Sequence, residues 1–183
     1  MTAPRAYLAG PEVFLPDAFA LGEAKKAICA EHGLVGVFPL DPLDGRLPEL
    51  DGLALFAHCV GHLDAADLVI ANLTPFRGPS MDVGTAVEIG YGLGRGVPVF
   101  GYTNVAADYR DRVDAEPGWL VEDFGFVDNL MCEGTVRARG GHDHREGVGR
   151  LLQDEVDDDA LAGLQDHRPG GGAPVVGDAQ RVR

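Results

Sequence analysis

Short apolar runs alternate along this chain with longer stretches in which apolar positions recur at helical spacing. That alternation is the pattern of a parallel sheet covered by helices. Four runs are predicted to be strands, at 5–9, 34–38, 67–73 (DLVIANL) and 97–102 (VPVFGY). The first helix is predicted over 17–32, with Asp17 as its N-cap after Pro16 and Gly33 ending it. Further helices are predicted over 50–66 and 83–94. Crossovers of this kind give an α/β fold, a three-layer αβα sandwich with a mostly parallel, doubly wound sheet of flavodoxin or Rossmann-like type. Every predicted strand opens at its C-terminal end into a loop of Gly, Pro and polar residues: Gly10-Pro11, Pro39-Leu40-Asp41, Thr74-Pro75-Phe76-Arg77-Gly78 and Thr103-Asn104. Open parallel sheets bind ligands at that edge.

The pattern changes at Arg137. Residues 1–136 read as one domain, and 137–183 as a C-terminal extension. The extension is moderately helical over 146–164 and then loses periodicity in HRPGGGAPVVGDAQRVR, where a mobile end is expected. A chain of 183 residues with 45% hydrophobic content can bury one good core but not two full-sized ones.

Charge narrows the range of partners. The formal net charge is −14, and the extension, with seven Lys/Arg and nine Asp/Glu, carries little of it. Such an acidic domain repels nucleic acid and anionic membranes at long range, so a small neutral ligand is the expected partner. The chain's 3 cysteines, Cys29, Cys59 and Cys132, form no paired motif and fit a reducing cytosol. Neither a signal peptide nor a run of 18 apolar residues is present, so a cytoplasmic protein is expected.

The stretch 74–92, TPFRGPSMDVGTAVEIGYG, runs from a strand end through a polar loop into a helix on which Gly84, Glu88 and Gly92 share one face. Most helical glutamates are solvated surface residues. Here Ala86, Val87 and Ile89 surround a lone Glu88 in an apolar helix, and the flanking glycines are expected to leave room beside it. Asp82 stands where an N-cap belongs, at the ligand edge of the sheet, and can serve as cap and ligand contact together; Ser80 is the alternative cap. Arg77 could pair with Asp82 or with a ligand oxygen. The series Gly90, Gly92, Gly94, Gly96 closes a helix instead of opening one, so it reads as close packing and a C-cap, not as a dinucleotide site. Tyr7 and Phe14 flank the first loop, and either could be core or ligand contact. His58 and His62 are an i,i+4 pair without an intervening Glu, a weak metal signal. No metal and no cofactor are expected.

Three blocks in order resemble the nucleoside 2-deoxyribosyltransferase family over residues 5–135. They are YLAGPEVF at 7–14 followed by Pro16-Asp17, ADLVIANLTPFRGPSMDVGTAVEIGYG at 66–92, and VEDFGFVDNLM at 121–131. The resemblance implies Glu88 as nucleophile, the Tyr7 hydroxyl orienting its carboxylate, and Asp82 on the 5'-hydroxyl of a deoxynucleoside. It implies that Gly10, Phe14 and Asp17 face the nucleobase and that Asn129 reaches a neighbouring subunit's site, which requires a homo-oligomer. The implied reaction passes the 2-deoxyribosyl group from one base to a free nucleobase. An oxocarbenium-like state is stabilised and then trapped by the carboxylate, as in retaining glycosidases.

A related branch hydrolyses nucleoside 5'-monophosphates and looks to have a Ser at the position of Asp82, where a carboxylate would repel a phosphate. An N-glycosidase hydrolysing (deoxy)nucleosides or nucleoside 5'-monophosphates, or a non-catalytic nucleotide-binding module, is the alternative. The chain departs from the family at Cys59, where relatives carry Asp or Asn, and after Thr135, where the usual apolar strand and helix are replaced.

Overall fold

The computed structural model describes residues 2–46 and 51–138. The expected helix at 146–164 and the expected mobile end lie outside the described residues.

The predicted alternation is present. Strand β1 (Arg5–Ala9), helix α1 (Ala18–Glu31), β2 (Val35–Val37), α2 (Gly52–Asp64), β3 (Leu68–Asn72), α3 (Val83–Arg95) and β4 (Val99–Tyr102) follow one another. The strands pair in the order β2-β1-β3-β4, all parallel. The chain thus winds outward from β1 to β2, then crosses back to β3 and on to β4, a doubly wound α/β sheet. The direction of winding reverses between β1 and β3, where Tyr7 lies opposite Val69 and Leu8 opposite Ile70. Crevices for ligands open beyond the strand ends at such a point.

Side chains alternate strictly between the two faces of the sheet. Tyr7, Ala9, Val69, Ala71 and Val99 join Leu63 of α2 and Ile89 of α3 in one buried cluster. Ala6, Leu8 and Ile70 join Ile28 and Cys29 of α1 and Phe38 in the other. Both faces are therefore covered, which gives three layers and explains why the strands read as continuous apolar runs.

Four helix ends have identifiable causes or departures. Gly33 (φ 74°) follows α1 and Gly96 (φ 76°) ends α3, both in the left-handed region that glycine adopts without a Cβ clash. Gly92 lets α3 lie close on the sheet, since a Cβ there would stand 3.1 Å from methyls of Val69 and Val99. It is a packing glycine, and the open space expected beside Glu88 on that side is filled. Asp51 caps α2 by accepting from the Ala54 amide at 2.9 Å, so the helix starts after the expected Leu50, which is outside the described residues. Asp17 occupies the N-cap position of α1, but its side chain makes no capping hydrogen bond. Its backbone (φ −104°, ψ 22°) is outside the extended region from which an N-cap side chain turns back onto the first turn.

Elements without a predicted counterpart are a 3-10 turn at Pro11–Phe14, α4 (Tyr109–Arg112) and α5 (Leu130–Ala138). Helix α5 packs against α3 and β4 and continues through Arg137, which pairs with the buried Glu133 one turn back at 2.5 Å. Among the described residues no helix is long and apolar enough to cross a membrane.

Candidate active site

Period-2 alternation on β1 turns Tyr7 inward on the α3 side, where it is fully buried. Its hydroxyl donates to Glu88 Oε1 at 2.6 Å, linking the central strand to the middle of α3. Asp82 stands at the start of the same helix and accepts from the Thr85 amide at 3.0 Å and the Thr85 hydroxyl at 3.2 Å, both on Oδ2. A Cβ on Gly84 would come within 2.9 Å of that oxygen, so glycine lets the carboxylate fold over the first turn. Ser80, the alternative cap, instead gives its hydroxyl to Asp128.

Glu88 and Asp82 face a cavity of about 320 Å³ beyond the C-terminal ends of the strands. Gly84, on the same helix, also lines it, while Val13, Phe14, Leu40 and Leu55, from the loops after β1 and β2 and from α2, supply an apolar wall. Gly10, Pro39 and Cys59 also line the space. Six of the residues singled out from sequence therefore meet: five line the cavity, and Tyr7 reaches it through Glu88.

Burial raises the Glu88 pKa to about 7. The Tyr7 hydrogen bond pulls it down, while the negative charges of Asp82 and Glu12 push it further up. The Tyr7 hydroxyl is held far above its ordinary range by burial and by the charge of Glu88, so it stays a neutral donor. Burial and the same charge also raise the Cys59 thiol. Near neutral pH the cavity thus holds a carboxyl at its titration point, with a fixed phenol donor against it. Such a group can exist as a nucleophilic carboxylate or as a proton donor.

The first loop is clamped from beneath by residues the sequence reading did not identify. Glu12 is almost fully buried, and its Oε1 accepts from Lys25 Nζ, from Asn72 Nδ2 at 2.7 Å and from the Tyr102 hydroxyl at 3.1 Å. Burial pushes the Glu12 pKa up, but the charge and hydrogen bond of Lys25, with hydrogen bonds from the backbone and Asn72, together hold it below the ordinary value. Gly10 is obligatory beside it, since a Cβ there would fall 2.0 Å from Glu12 Oε2. These partners lie up to 90 residues apart in sequence. The available signal was a polar Asn72 inside an otherwise apolar strand run.

Phe14 is 54% exposed, so it is a wall of the cavity and not a core residue. Its ring stacks on Phe76 with centroids 5.5 Å apart, and the Arg77 guanidinium lies over both rings, at 4.9 Å and 4.6 Å. Of the two partners open to Arg77 from sequence, Asp82 or a ligand oxygen, Asp82 is not the one it meets: its guanidinium lies on the two rings. Its left-handed backbone (φ 57°) turns the side chain toward those rings. Asp17 is exposed and is not among the lining residues. Asn129 opens α5, accepting from the Met131 amide at 3.0 Å and donating to Glu122 at 2.6 Å, and it does not line this chain's cavity. His58 and His62 both direct Nε2 at the Asp41 carbonyl, at 2.8 Å and 2.9 Å, and so brace the loop that carries Leu40. No group of three or more His, Cys, Asp or Glu side chains among the described residues is placed to hold a metal ion.

The chain is similar to known proteins in sequence and in fold. The family model described as nucleoside 2-deoxyribosyltransferase matches residues 6–131. An uncharacterized protein of Schizosaccharomyces pombe is 33% identical, over 75% of this chain and 79% of its own. Among solved structures, the 2-desoxiribosyltransferase from Leishmania mexicana is 25% identical, with a TM-score of 0.65 and coverage of 90% of this chain and 99% of its own. A conserved protein from Enterococcus faecalis shares the fold at 20% identity, with a TM-score of 0.51 over 82% of this chain and 98% of its own. The family match spans the strand that bears Tyr7, the helix that bears Glu88 and the start of α5, and this chain belongs to the nucleoside 2-deoxyribosyltransferase family.

Proposed function

We propose that this protein transfers the 2-deoxyribosyl group between nucleobases, with Glu88 attacking the anomeric carbon of a deoxynucleoside. The observation that carries the reading is the 2.6 Å hydrogen bond from buried Tyr7 to a Glu88 carboxyl that faces an open cavity. The glycosidic bond to the departing base breaks as the bond from Glu88 to the sugar forms. The incoming base then attacks the glycosyl-enzyme ester and releases the carboxylate. Tyr7 orients the attacking oxygen and disperses its charge until the ester forms. Both capping hydrogen bonds of Asp82 fall on Oδ2. Its Oδ1 is the atom that accepts from the substrate's 5'-hydroxyl, and the same carboxylate disfavours a 5'-phosphate. The flat base lies against Phe14 and the aliphatic wall.

The active form is a homo-oligomer in the cytosol, with Asn129 of one copy completing the cavity of another. Large apolar side chains lie exposed near that residue and on α3, among them Trp119, Leu120, Phe124, Met131, Val83 and Val87. Exposure on that scale in one protein favours association. Three free cysteines suit a reducing compartment.

The test is to incubate the protein with deoxyinosine, with and without adenine, and to separate the products by chromatography. Deoxyadenosine and hypoxanthine, formed only when adenine is present, are the expected result. Hypoxanthine and free deoxyribose released regardless of adenine would make the protein a hydrolase. Binding without turnover of any deoxynucleoside would make it a binding module.

A further inference from the structure

Asp82 is fixed at its own end by Thr85, but the chain that delivers it is held by residues far away in sequence. Asp128, between β4 and α5, is completely buried. Its carboxylate accepts from the Ser80 hydroxyl and from the Met81 amide at 2.8 Å, the two residues immediately before Asp82. It also accepts from the Asn129 amide at 2.7 Å. Arg112 of α4 donates to the carbonyls of Pro79 and Val127, so residues 79–81 are tied to the same segment twice. That segment is anchored in turn, since the buried Glu133 of α5 accepts from the Val127 amide.

A carboxylate taken fully out of water is costly unless donors surround it, and three do so here. The loop could turn into α3 without any of them, because Asp82 itself supplies the cap. What the buried anchor adds is a fixed position for Asp82 relative to Glu88, and a shift of about 1 Å at such a place costs on the order of 10²-fold in rate.

We propose that Asp128 is a positioning residue for the sugar side of the site: by holding Ser80 and Met81 it sets the Asp82 carboxylate at the height of the substrate's 5'-hydroxyl. The inference rests on the reading that Asp82 meets that hydroxyl, and the experiment separates the two. With adenine present as acceptor, turnover of 2'-deoxyinosine is compared with that of 2',5'-dideoxyinosine, which lacks only the 5'-hydroxyl, for the full-length protein, Asp128→Asn, Ser80→Ala and Asp82→Asn. Release of hypoxanthine is the readout, so the ratio of kcat/KM values is obtained for transfer and hydrolysis alike.

The unaltered protein is expected to favour deoxyinosine by roughly 10–100-fold, the worth of a hydrogen bond to a charged group. Asp128→Asn should lose most of that ratio by slowing on deoxyinosine while keeping its rate on the dideoxy substrate. Ser80→Ala, which removes a single hydroxyl and leaves Asp128 in place to support the fold, should lose part of it in the same way. Equal slowing on both substrates, with the ratio intact in Asp128→Asn and Ser80→Ala but lost in Asp82→Asn, would overturn the role of Asp128 and leave that of Asp82 standing. An unaltered protein that turns over both substrates equally would overturn both.

Discussion

The two sides of the cavity are built on opposite plans. On the α3 side every side chain that faces the space has a fixed partner: Glu88 has Tyr7, Asp82 has Thr85, and the approach to Asp82 is pinned by Asp128 and Arg112. On the other side Val13, Phe14, Leu40 and Leu55 offer apolar surface without directional bonds, and Phe14 is more than half exposed. Charge that develops during a reaction is best met by dipoles already in place, because nothing then needs to reorganise at the transition state. A planar aromatic base needs area and a little compliance. In the proposed reaction the deoxyribose is common to every substrate while the base varies, so the rigid side serves the constant part and the compliant side the variable part.

The comparison breaks most sharply at Glu88. Glu88→Ala should lower turnover by at least roughly 10³-fold, the scale on which covalent nucleophiles act, while leaving the circular dichroism spectrum unchanged. Near-normal rates would remove the chemistry from α3 altogether. The same residue fixes the pH dependence. With a pKa of about 7 in the folded protein, the carboxyl is mostly protonated at pH 6 and mostly ionised at pH 8. Turnover that needs the carboxylate should rise with pH through a midpoint near 7, read from kcat/KM against pH.

Stability should run the other way. A carboxyl whose folded pKa lies above its ordinary value of 4.5 binds its proton more tightly in the folded state. The folded protein therefore loses stability as pH rises from about 4.5 to about 7. Glu88→Gln, which keeps the shape without the charge, should melt a few degrees higher than the unaltered protein at pH 8 and at nearly the same temperature at pH 4.

Tyr7→Phe is the next step down. Removing a hydrogen bond to a carboxylate is expected to cost roughly 10–100-fold in kcat. Tyr7 also holds the Glu88 pKa down, against the effect of burial. The midpoint of the pH profile should therefore move upward in this variant, which a loss of packing alone would not produce.

What could be read from the sequence was whatever is local. The apolar runs and the helical stretches between them gave the order of the main elements, and Glu88 with Gly84 on one helix face, preceded by Asp82 at the N-cap, gave the polar side of the cavity. Tyr7 was readable as either core or ligand contact; it is fully buried, and its hydroxyl meets the Glu88 carboxylate. What was not readable depends on contacts between distant parts of the chain. The clamp of Glu12 by Lys25, Asn72 and Tyr102 joins the 3-10 turn after β1 to α1, β3 and β4. Asp128 reaches back 47 residues to Met81. For Arg77 the sequence offered Asp82 or a ligand oxygen, whereas folding brings two aromatic rings beneath its guanidinium. Gly92 shows the converse limit, since a missing side chain reads equally as open space or as tight packing.

The smallest expected effects belong to the compliant side, and they test whether it is compliant. Phe14→Ala removes one exposed aromatic face, worth about 0.5–1.5 kcal/mol in stacking, and should raise KM by roughly 2–10-fold with kcat within a factor of about two. Arg77→Ala frees both rings from the guanidinium that lies over them but removes no part of the cavity wall. A partly exposed cation–π contact contributes about 0.5–1 kcal/mol, so KM should change by no more than about 3-fold. Steady-state kinetics on one purine and one pyrimidine deoxynucleoside would show both effects in KM, with unequal sizes for the two bases. A Phe14→Ala variant that instead loses as much kcat as Tyr7→Phe would mean that the aromatic wall also aligns the sugar over Glu88, and the division between a rigid side and a compliant one would fail.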